Sequence, residues 1–473
     1  MKLLLLLASL AWSADPEQLM REGRPVQALE AAQAQVRETP DDVEDHELLI
    51  DLMFSLGLGI QGELAYLQFA DDNPGNPMAW YLLGRAALDP VRANTAYAKA
   101  LSLDPTYARA MMGLAALQRA QGNTADAEKL YRQALELDKS LSEAWSGLGA
   151  CLVQQERHAE ALDNALAAMA AIPYDREGYL AAAVLEPDMA LQHLQRGVKA
   201  NPNDPELLAA LGKLQIGAGE YKAARESLDK ALAASPADPQ ANYDRAVVGE
   251  LERGTLDAAG LSRLMRARAL GEKAPVAAQI EVDALIQDYP DCYLVFLLDG
   301  MMKVEAGRKT EALDSLNKAL ELAPESPDVL GTMGLLLLAL NDPQRAYPLL
   351  DKAYKARSWD VELGVSAGMA AAGALGANAG VTYLGQVAEA HPTELSPIMA
   401  LVSLLTQVGR TDAAYHVLAR ATERFPHPTL LLSKAAAAQD LGRREEAAAI
   451  LEELFQLTGD PKYEQMAQEL RAQ

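Results

Sequence analysis

A small residue recurs along this chain at a nearly constant interval, and this period constrains the fold more than any other feature. Eight of the twelve intervals between successive copies are 34 residues long, and the others are 31, 29, 54 and 33 residues. A period of about 20 to 50 residues is typical of repeat proteins, in which each unit packs only against its neighbours. The chain is therefore expected to be an array of similar units. The positions that share the spacing are Ala28, Gly62, Ala93, Ala127, Ala161, Ala190, Ala224, Ala278, Ala312, Ala346, Gly380, Ala414 and Ala447.

Each unit carries the signals of two helices joined by a tight turn. Apolar residues recur three and four positions apart on either side of the turn, and this spacing is typical of amphipathic helices. Glycine readily takes the left-handed conformation that ends a helix. A proline follows the small residue by twelve positions in most units, and it ends the second helix. The glycines that lie five residues before the small residue include Gly122, Gly219, Gly307 and Gly409.

These units resemble the tetratricopeptide repeat, a 34-residue unit with a pattern of Trp, Leu-Gly, Ala and Pro. The best copy has Trp145 and Leu148-Gly149, followed by Ala161 and Pro173. The resemblance implies an all-α fold, a right-handed superhelical solenoid of about 13 helix-turn-helix tetratricopeptide repeats. Only 5% of the residues are aromatic while 50% are hydrophobic, which favours many small helix contacts over a β-sandwich.

Departures from the period indicate the domain organisation. The intervals of 31 and 29 residues shorten the units at 80–105 and 174–202 by about one helical turn. The 54-residue interval adds a segment at 251–272 that is long enough for one helix. This segment is either a joint between two arrays, residues 14–250 and 273–460, or a decorated surface loop. Residues 461–473 are predicted to form a capping helix, which open-ended solenoids need for solubility.

The first residues have the pattern of a secretory signal peptide, predicted at residues 1–13. Met1-Lys2 precedes the apolar run Leu3 to Leu7, and small residues lie at Ala11 and Ser13. The alternative is a leucine-rich first helix, although Pro16 would interrupt it. An exported location, periplasmic or secreted, is expected. No other apolar run reaches the roughly 20 residues that span a bilayer, so the processed chain is not expected to span a membrane.

Charge and residue spacing argue against several classes of function. The formal net charge of −24 disfavours a nucleic-acid partner, because phosphate binding needs clustered Lys and Arg. Arg263, Arg266 and Arg268 form the one local basic cluster. Cys151 and Cys292 are not expected to pair, because distant repeats of a solenoid do not touch. The six histidines lie in different units without a metal-binding spacing, so neither a metal nor a cofactor is expected.

Three serine patterns resemble catalytic motifs. Ser366 lies in a Gly-X-Ser-X-Gly sequence, but a nucleophile elbow requires a strand before the serine, and here a helix is predicted. Ser227 and Ser315 each precede a lysine by three residues, and both occupy the same position of the repeat. A non-enzyme is therefore expected, with a hydrolase that uses Ser366 as the remote alternative.

Two groups of residues are candidates for binding a partner, because the first helix of each unit lines the concave face in the resembled family. The acidic stripe, Glu44, Glu47 and Asp51, recurs at helical spacing and could attract a basic segment, or it could be a solvated helix face. The apolar set either lines an interaction groove or is buried by tight curvature. This set comprises Leu294, Leu297, Met301, Val304, Leu335, Leu338, Val365, Met369 and Met399.

The leading hypothesis is a scaffold or adaptor that binds a segment of another protein in its C-terminal groove. By analogy with the family, this would serve cell-envelope assembly, secretion or polysaccharide export. The structural alternative is self-assembly, in which two solenoids pair through their apolar faces to form a homo-oligomer.

Overall fold

The computed structural model describes residues 15–21, 25–271, 273–424 and 427–472. Within these ranges the chain forms α-helices and one short 3₁₀ turn, Pro187–Met189, and no strand. Contacts divide the chain into two compact units, residues 1–210 and 211–473. The predicted signal peptide, residues 1–13, lies outside the described residues.

The first unit contains helices in a regular succession. These are α1 (Pro16–Arg21), α2 (Pro25–Glu38), α3 (Val43–Ser55), α4 (Gly59–Asp72), α5 (Pro77–Ala86), α6 (Pro90–Leu103), α7 (Ala108–Ala120), α8 (Thr124–Leu137), α9 (Ser142–Gln154), α10 (His158–Ala171), α11 (Arg176–Leu185) and α12 (Ala190–Ala200). Helix α13 (Pro205–Gly217) contains the division between the two units.

The second unit continues the same succession of helices. These are α14 (Tyr221–Ala234), α15 (Pro239–Arg253), α16 (Ala258–Leu270), α17 (Pro275–Asp288), α18 (Tyr293–Glu305), α19 (Lys309–Leu322), α20 (Pro327–Ala339), α21 (Pro343–Ala356), α22 (Val361–Leu375), α23 (Ala377–Ala390), α24 (Leu395–Gln407), α25 (Thr411–Arg424), α26 (Pro428–Asp440), α27 (Arg444–Thr458) and α28 (Pro461–Ala472).

Successive helices pack as hairpins, and the first helix of one hairpin also contacts the first helix of the next. In the first unit α3, α5, α7, α9 and α11 form such a row, and in the second unit α18, α20, α22 and α24 do the same. The prediction of an all-α array of helix-turn-helix repeats is confirmed. The two shortened units are confirmed as well, because α5 and α11 have 10 residues where α7 and α9 have 13.

In three consecutive repeats of the second unit, a leucine of the second helix packs directly against a glycine of the first helix. A Cβ atom added to Gly300 would lie 2.6 Å from the side chain of Leu316, which is fully buried. The same contact recurs one and two repeats later, at Gly334 with Leu350 and at Gly368 with Leu384. The repeat period therefore fixes a close approach of two helices that a larger residue would obstruct.

Replacing Gly300 with alanine is expected to destabilise the second unit by about 1 to 3 kcal/mol, because the added methyl group overlaps Leu316. Gly249 is a matched control in the interior of α15, where an added Cβ meets no atom within 4 Å. Gly249→Ala is expected to stabilise by about 0.5 to 1 kcal/mol through helix propensity. Urea unfolding followed by circular dichroism measures both changes, and equal effects of the two substitutions would contradict this packing.

Residues 251–271 belong to the second of the two units. Helix α16 supplies most of this segment, and it packs against α17. The side chain of Arg263 bonds to Glu281 at 2.7 Å and to Asp288 at 2.6 Å. Arg266 also reaches Glu281, at 3.0 Å. Two members of the basic cluster thus form ion pairs between α16 and α17.

The chain ends in a helix, α28, where the sequence predicts a capping helix. Ala467 and Leu470 are buried on its inner face, and α28 packs against α27.

Candidate functional site

A cavity of about 480 Å³ opens in the second unit, where several first helices come together. Residues of α15, α16, α18 and α20 line it, together with the segment before α22. Leu294, Leu297 and Met301 of the predicted apolar set form part of its wall. They are one side of α18, since they recur at spacings of three and four residues. The structure therefore brings one third of the predicted set to a single cavity.

The other members of the apolar set do not line this cavity. Among these other members, the side chains of Leu335 and Met369 are 45% and 42% exposed. Of the three that line the cavity, Met301 is 43% exposed. The side chains of Leu294 and Leu297 are instead buried, at 4% and 8% exposure. Burial at these two positions agrees with the alternative that curvature encloses part of the set. The half-buried members are Val304, Leu338, Val365 and Met399.

Cationic and aromatic side chains at the cavity were not predicted from the sequence. The Arg268 guanidinium lies 4.2 Å from the centre of the Tyr243 ring. Arg357 binds both carboxylate oxygens of Asp328, at 2.7 and 2.8 Å, and lies 5.8 Å from the centre of the Trp359 ring. Such pairs keep a charged group close to an apolar wall. The sequence offered one signal for this part of the site, the aromatic residue Trp359 in the short loop before α22. The pairing of Arg357 with Asp328 could not be predicted from the sequence.

Burial raises the pKa of the Tyr243 hydroxyl, although the nearby Arg268 charge opposes this shift. The phenol is therefore neutral at physiological pH, and it offers both a donor and an acceptor at the cavity wall. The arrangement can enclose a large apolar side chain and bond polar groups beside it. None of these residues forms a nucleophile–base pair.

The acidic stripe of the first unit is paired with arginines of the neighbouring repeats. Arg109 of α7 contacts Glu47 at 2.9 Å and Glu44 at 3.0 Å. Arg85 of α5 contacts Asp51 at 3.0 Å and also reaches Glu143 of α9. The three carboxylates thus belong to a ladder of ion pairs that crosses four first helices. They are not three free charges on a helix face.

The ladder is partly buried at its centre. Arg85 and Arg109 have side chains that are 19% exposed, and the Glu47 side chain is 15% exposed. Burial by itself lowers the pKa of Arg109, but the charges of Glu47 and Glu44 outweigh it and raise the pKa. Tyr81 also donates its hydroxyl to Glu47, and its pKa is raised by burial first and by the Glu47 charge second. This centre is expected to support the stacking of the repeats.

The serines of the catalytic-like patterns lie on helices. Ser366 is a half-buried residue within α22. Ser227 is buried and donates to Gln215 at 2.8 Å, and Ser315 is buried and donates to Asp299 at 2.6 Å. The two latter hydroxyls therefore have structural partners.

Both cysteines are free and buried, and burial raises the pKa of each thiol. Among the described residues, no group of three His, Cys, Asp or Glu side chains is arranged to hold a metal ion. Over the same ranges no helix has the length and apolar character that crossing a membrane requires.

Models of the tetratricopeptide repeat match residues 89–142, 117–176, 186–246 and 297–362. The chain therefore contains tetratricopeptide repeats in both units, as the resemblance implied. Among curated proteins it is similar to cellulose synthase operon protein C of Xanthomonas axonopodis pv. citri, with 29% identity over 185 residues. That match covers 34% of this chain and 12% of the relative's length.

Solved structures of tetratricopeptide repeat proteins are also similar. One from Parabacteroides merdae is 15% identical, covers 56% of this chain and 98% of its own, and has a TM-score of 0.29. Another, from Thermus thermophilus, is 23% identical, covers 36% of this chain and 94% of its own, and has a TM-score of 0.31. Neither likeness bears on a partner.

Proposed function

We propose that this chain is a non-catalytic scaffold that binds a segment of another protein at the cavity of the second unit. The single observation that carries the proposal is the apolar wall of Leu294, Leu297 and Met301 beside the Arg268–Tyr243 pair. Tetratricopeptide repeat proteins are generally interaction scaffolds, and the repeats of this chain lie on both sides of the cavity.

The cavity favours a partner segment with large apolar side chains. Its volume of about 480 Å³ is within the range of about 300 to 1,000 Å³ that is usual for ligand sites. Met301 adds a flexible thioether, which adapts to side chains of different shape. The Tyr243 hydroxyl and the guanidinium of Arg268 supply hydrogen bonds at the edge. Apolar anchors in the cavity with polar groups around them are the usual anatomy of a protein interface.

We place this activity in the cell envelope, on an exported chain that is periplasmic or secreted. The n-region and apolar run of residues 1–13 support export. Similarity to a protein named for a cellulose synthase operon supports a role in polysaccharide export, envelope assembly or secretion. This chain spans only 12% of that relative, so the pathway is part of the proposal.

The test compares three forms of the full chain by crosslinking capture from the native envelope fraction. The cavity variant, called the groove variant below, is Met301→Glu with Thr332→Glu. Both residues line the cavity; Met301 is 43% exposed and Thr332 is half-buried, so each position tolerates a charge. The control variant is Val276→Glu with Ile280→Glu on α17, in the same unit but outside the cavity, where exposure is 75% and 67%. Circular dichroism checks that all three are folded.

We expect wild type and the control variant to capture the same partner, and the groove variant to capture at least about tenfold less of it, a loss of roughly 1.4 kcal/mol. Equal capture by the folded groove variant would overturn the site. Loss of capture by the α17 variant alone would place binding on α17 instead. A stable dimer that dissociates only in the groove variant would favour the self-assembling alternative.

A further inference from the structure

A second cavity lies in the first unit, between α9, α10 and α11, and has a volume of about 610 Å³. It contains no residue of the acidic stripe or the apolar set. One of these helices, α11, ends at Leu185 after 10 residues, whereas α9 has 13. The cavity thus lies beside the first helix that the 29-residue interval shortens.

Two matching stripes of residues face each other across this cavity. Ser146, Ala150 and Val153 line it from α9, at spacings of four and three residues. Glu177, Ala181 and Val184 line it from α11 at the same spacings. Val184 is 77% exposed and Val153 is 43% exposed, so the upper walls are apolar and open to water. The floor consists largely of small residues, namely Gly149, Ala161, Ala165, Ala168 and Gly178.

The second cavity, called the trough below, has a shape that fits a helix. Two parallel ridges with a small-residue floor form the groove into which the side chains of another helix pack. Small floor residues let a second backbone approach closely, as at other helix contacts of this chain. The exposed Val184 and Val153 then gain an apolar contact that removes them from water.

One polar side chain of the trough is held by the fold itself. The Nδ2 atom of Asn164 donates to the Trp145 carbonyl at 3.0 Å, and its Oδ1 atom is buried. Because solvent does not reach this oxygen, a docked side chain does not reach it either, and it does not select the occupant.

The charge around the trough is negative. Asp175 and Glu177 line it, and no Lys or Arg is among the lining residues. Arg176, the nearest arginine along the chain, is shared among Glu177, Asp204 and Glu206. Three carboxylates against one guanidinium leave an excess of negative charge at this edge. The favoured occupant therefore carries positive charge next to its apolar face.

We propose that the first unit binds an amphipathic helix of a partner protein in this trough, with large aliphatic side chains against Val153 and Val184 and a Lys or Arg beside Glu177. The site is separate from the cavity of the second unit. A chain with both sites binds two segments, either of one partner or of two different ones.

The probe is a display library of random peptides of about 18 residues, long enough for about five helical turns. Selection uses the full-length wild-type chain, with counter-selection on Ala150→Trp, which fills the trough from an exposed position. Ala116→Trp is the matched control, because it is an exposed position of α7 one 34-residue period earlier and does not line the trough. Fluorescence anisotropy then measures the dissociation constant of each selected peptide.

We expect selected peptides to combine aliphatic residues at helical spacing with Lys or Arg, and to become helical on binding. Their affinity should fall about tenfold with Ala150→Trp and stay unchanged with Ala116→Trp and with the Met301→Glu, Thr332→Glu variant. Replacing Lys with Glu in the peptide should weaken binding to wild type more than to Glu177→Gln. The proposal is overturned if the affinity of no selected peptide falls with Ala150→Trp, or if the selected peptides are acidic. It is also overturned if a second probe, a fluorescent fatty acid, binds in the trough and no peptide does.

Discussion

Replacing Asp299 with alanine is expected to destabilise the second unit by about 3 kcal/mol, because it removes a buried carboxylate that accepts three hydrogen bonds and leaves the partly buried Lys303 ammonium without its counter-charge. Asp299 lies on α18 and is 1% exposed. It accepts hydrogen bonds from Lys303 at 2.6 Å, from Ser315 at 2.6 Å and from Gln279 at 2.8 Å. The three donors come from α18, α19 and α17, so one carboxylate connects three helices.

The control for this substitution is Asp314→Ala on α19, which is an exposed position. Exposed substitutions away from special contacts usually change stability by less than about 0.5 kcal/mol. Urea unfolding followed by circular dichroism gives both values. A loss at Asp299 no larger than the loss at Asp314 would show that the network does not stabilise the fold.

The same carboxylate makes a prediction about pH. Burial alone would raise the pKa of Asp299, but the hydrogen bonds from Lys303, Ser315 and Gln279 outweigh it and lower the pKa below the ordinary aspartate value. A lowered pKa contributes stability above the unfolded pKa of about 3.9, and this contribution is lost as the pH falls further. The stability difference between wild type and Asp299→Asn should therefore be largest near neutral pH and shrink below about pH 4.

The architecture was predictable because it depends on local chemistry. The recurring small residue, the turn glycine and the terminal proline each act within a few positions, and a 34-residue period multiplies the signal. Even the shortened helices α5 and α11 followed from two short intervals. The repeat pattern also identified which residues of α18 share a face, since helical spacing decides this.

The burial of individual side chains and the partners of charged residues were less predictable, because both depend on residues that are distant in sequence. Leu297 and Met301 lie one turn apart on the same face, yet Leu297 is buried while Met301 is 43% exposed. The difference comes from the neighbouring helices that line the cavity. Helix α16 is one of these, and Arg263 pairs it with α17. The trough between α9, α10 and α11 was likewise not predictable, because the sequence alone does not show which faces of these helices stay uncovered.

The ion pairs of the acidic stripe are a feature that its periodicity does not predict. Glu44, Glu47 and Asp51 do lie on one side of α3, as their spacing indicates. Their cationic partners are far away in sequence, 62 residues for Glu47 with Arg109 and 34 residues for Asp51 with Arg85. One sequence without its fold offers no way to choose those partners. The structure assigns the stripe to ion pairs within the first unit.

Substitutions at Glu47 and Glu44 are expected to differ in their effect on stability, because Glu47 is enclosed and Glu44 is exposed. Both carboxylates contact Arg109, but the Glu47 side chain is 15% exposed and the Glu44 side chain is 78% exposed. Glu47→Ala removes two hydrogen bonds to Arg109 and the acceptor of the buried Tyr81 hydroxyl. The expected loss is about 2 to 3 kcal/mol, whereas Glu44→Ala should cost less than about 1 kcal/mol.

Salt provides a second readout, because the exposed pair is screened and the enclosed one is not. Raising the ionic strength should therefore abolish the effect of Glu44→Ala and leave most of the effect of Glu47→Ala, as measured by thermal and urea unfolding of the full chain. If both substitutions left stability unchanged and instead weakened capture of a basic partner, the stripe would be a binding surface after all. Arg109→Leu completes the cycle: it should be destabilising in wild type and much less so in the Glu47→Ala background, since Glu47 is then no longer left without its counter-charge.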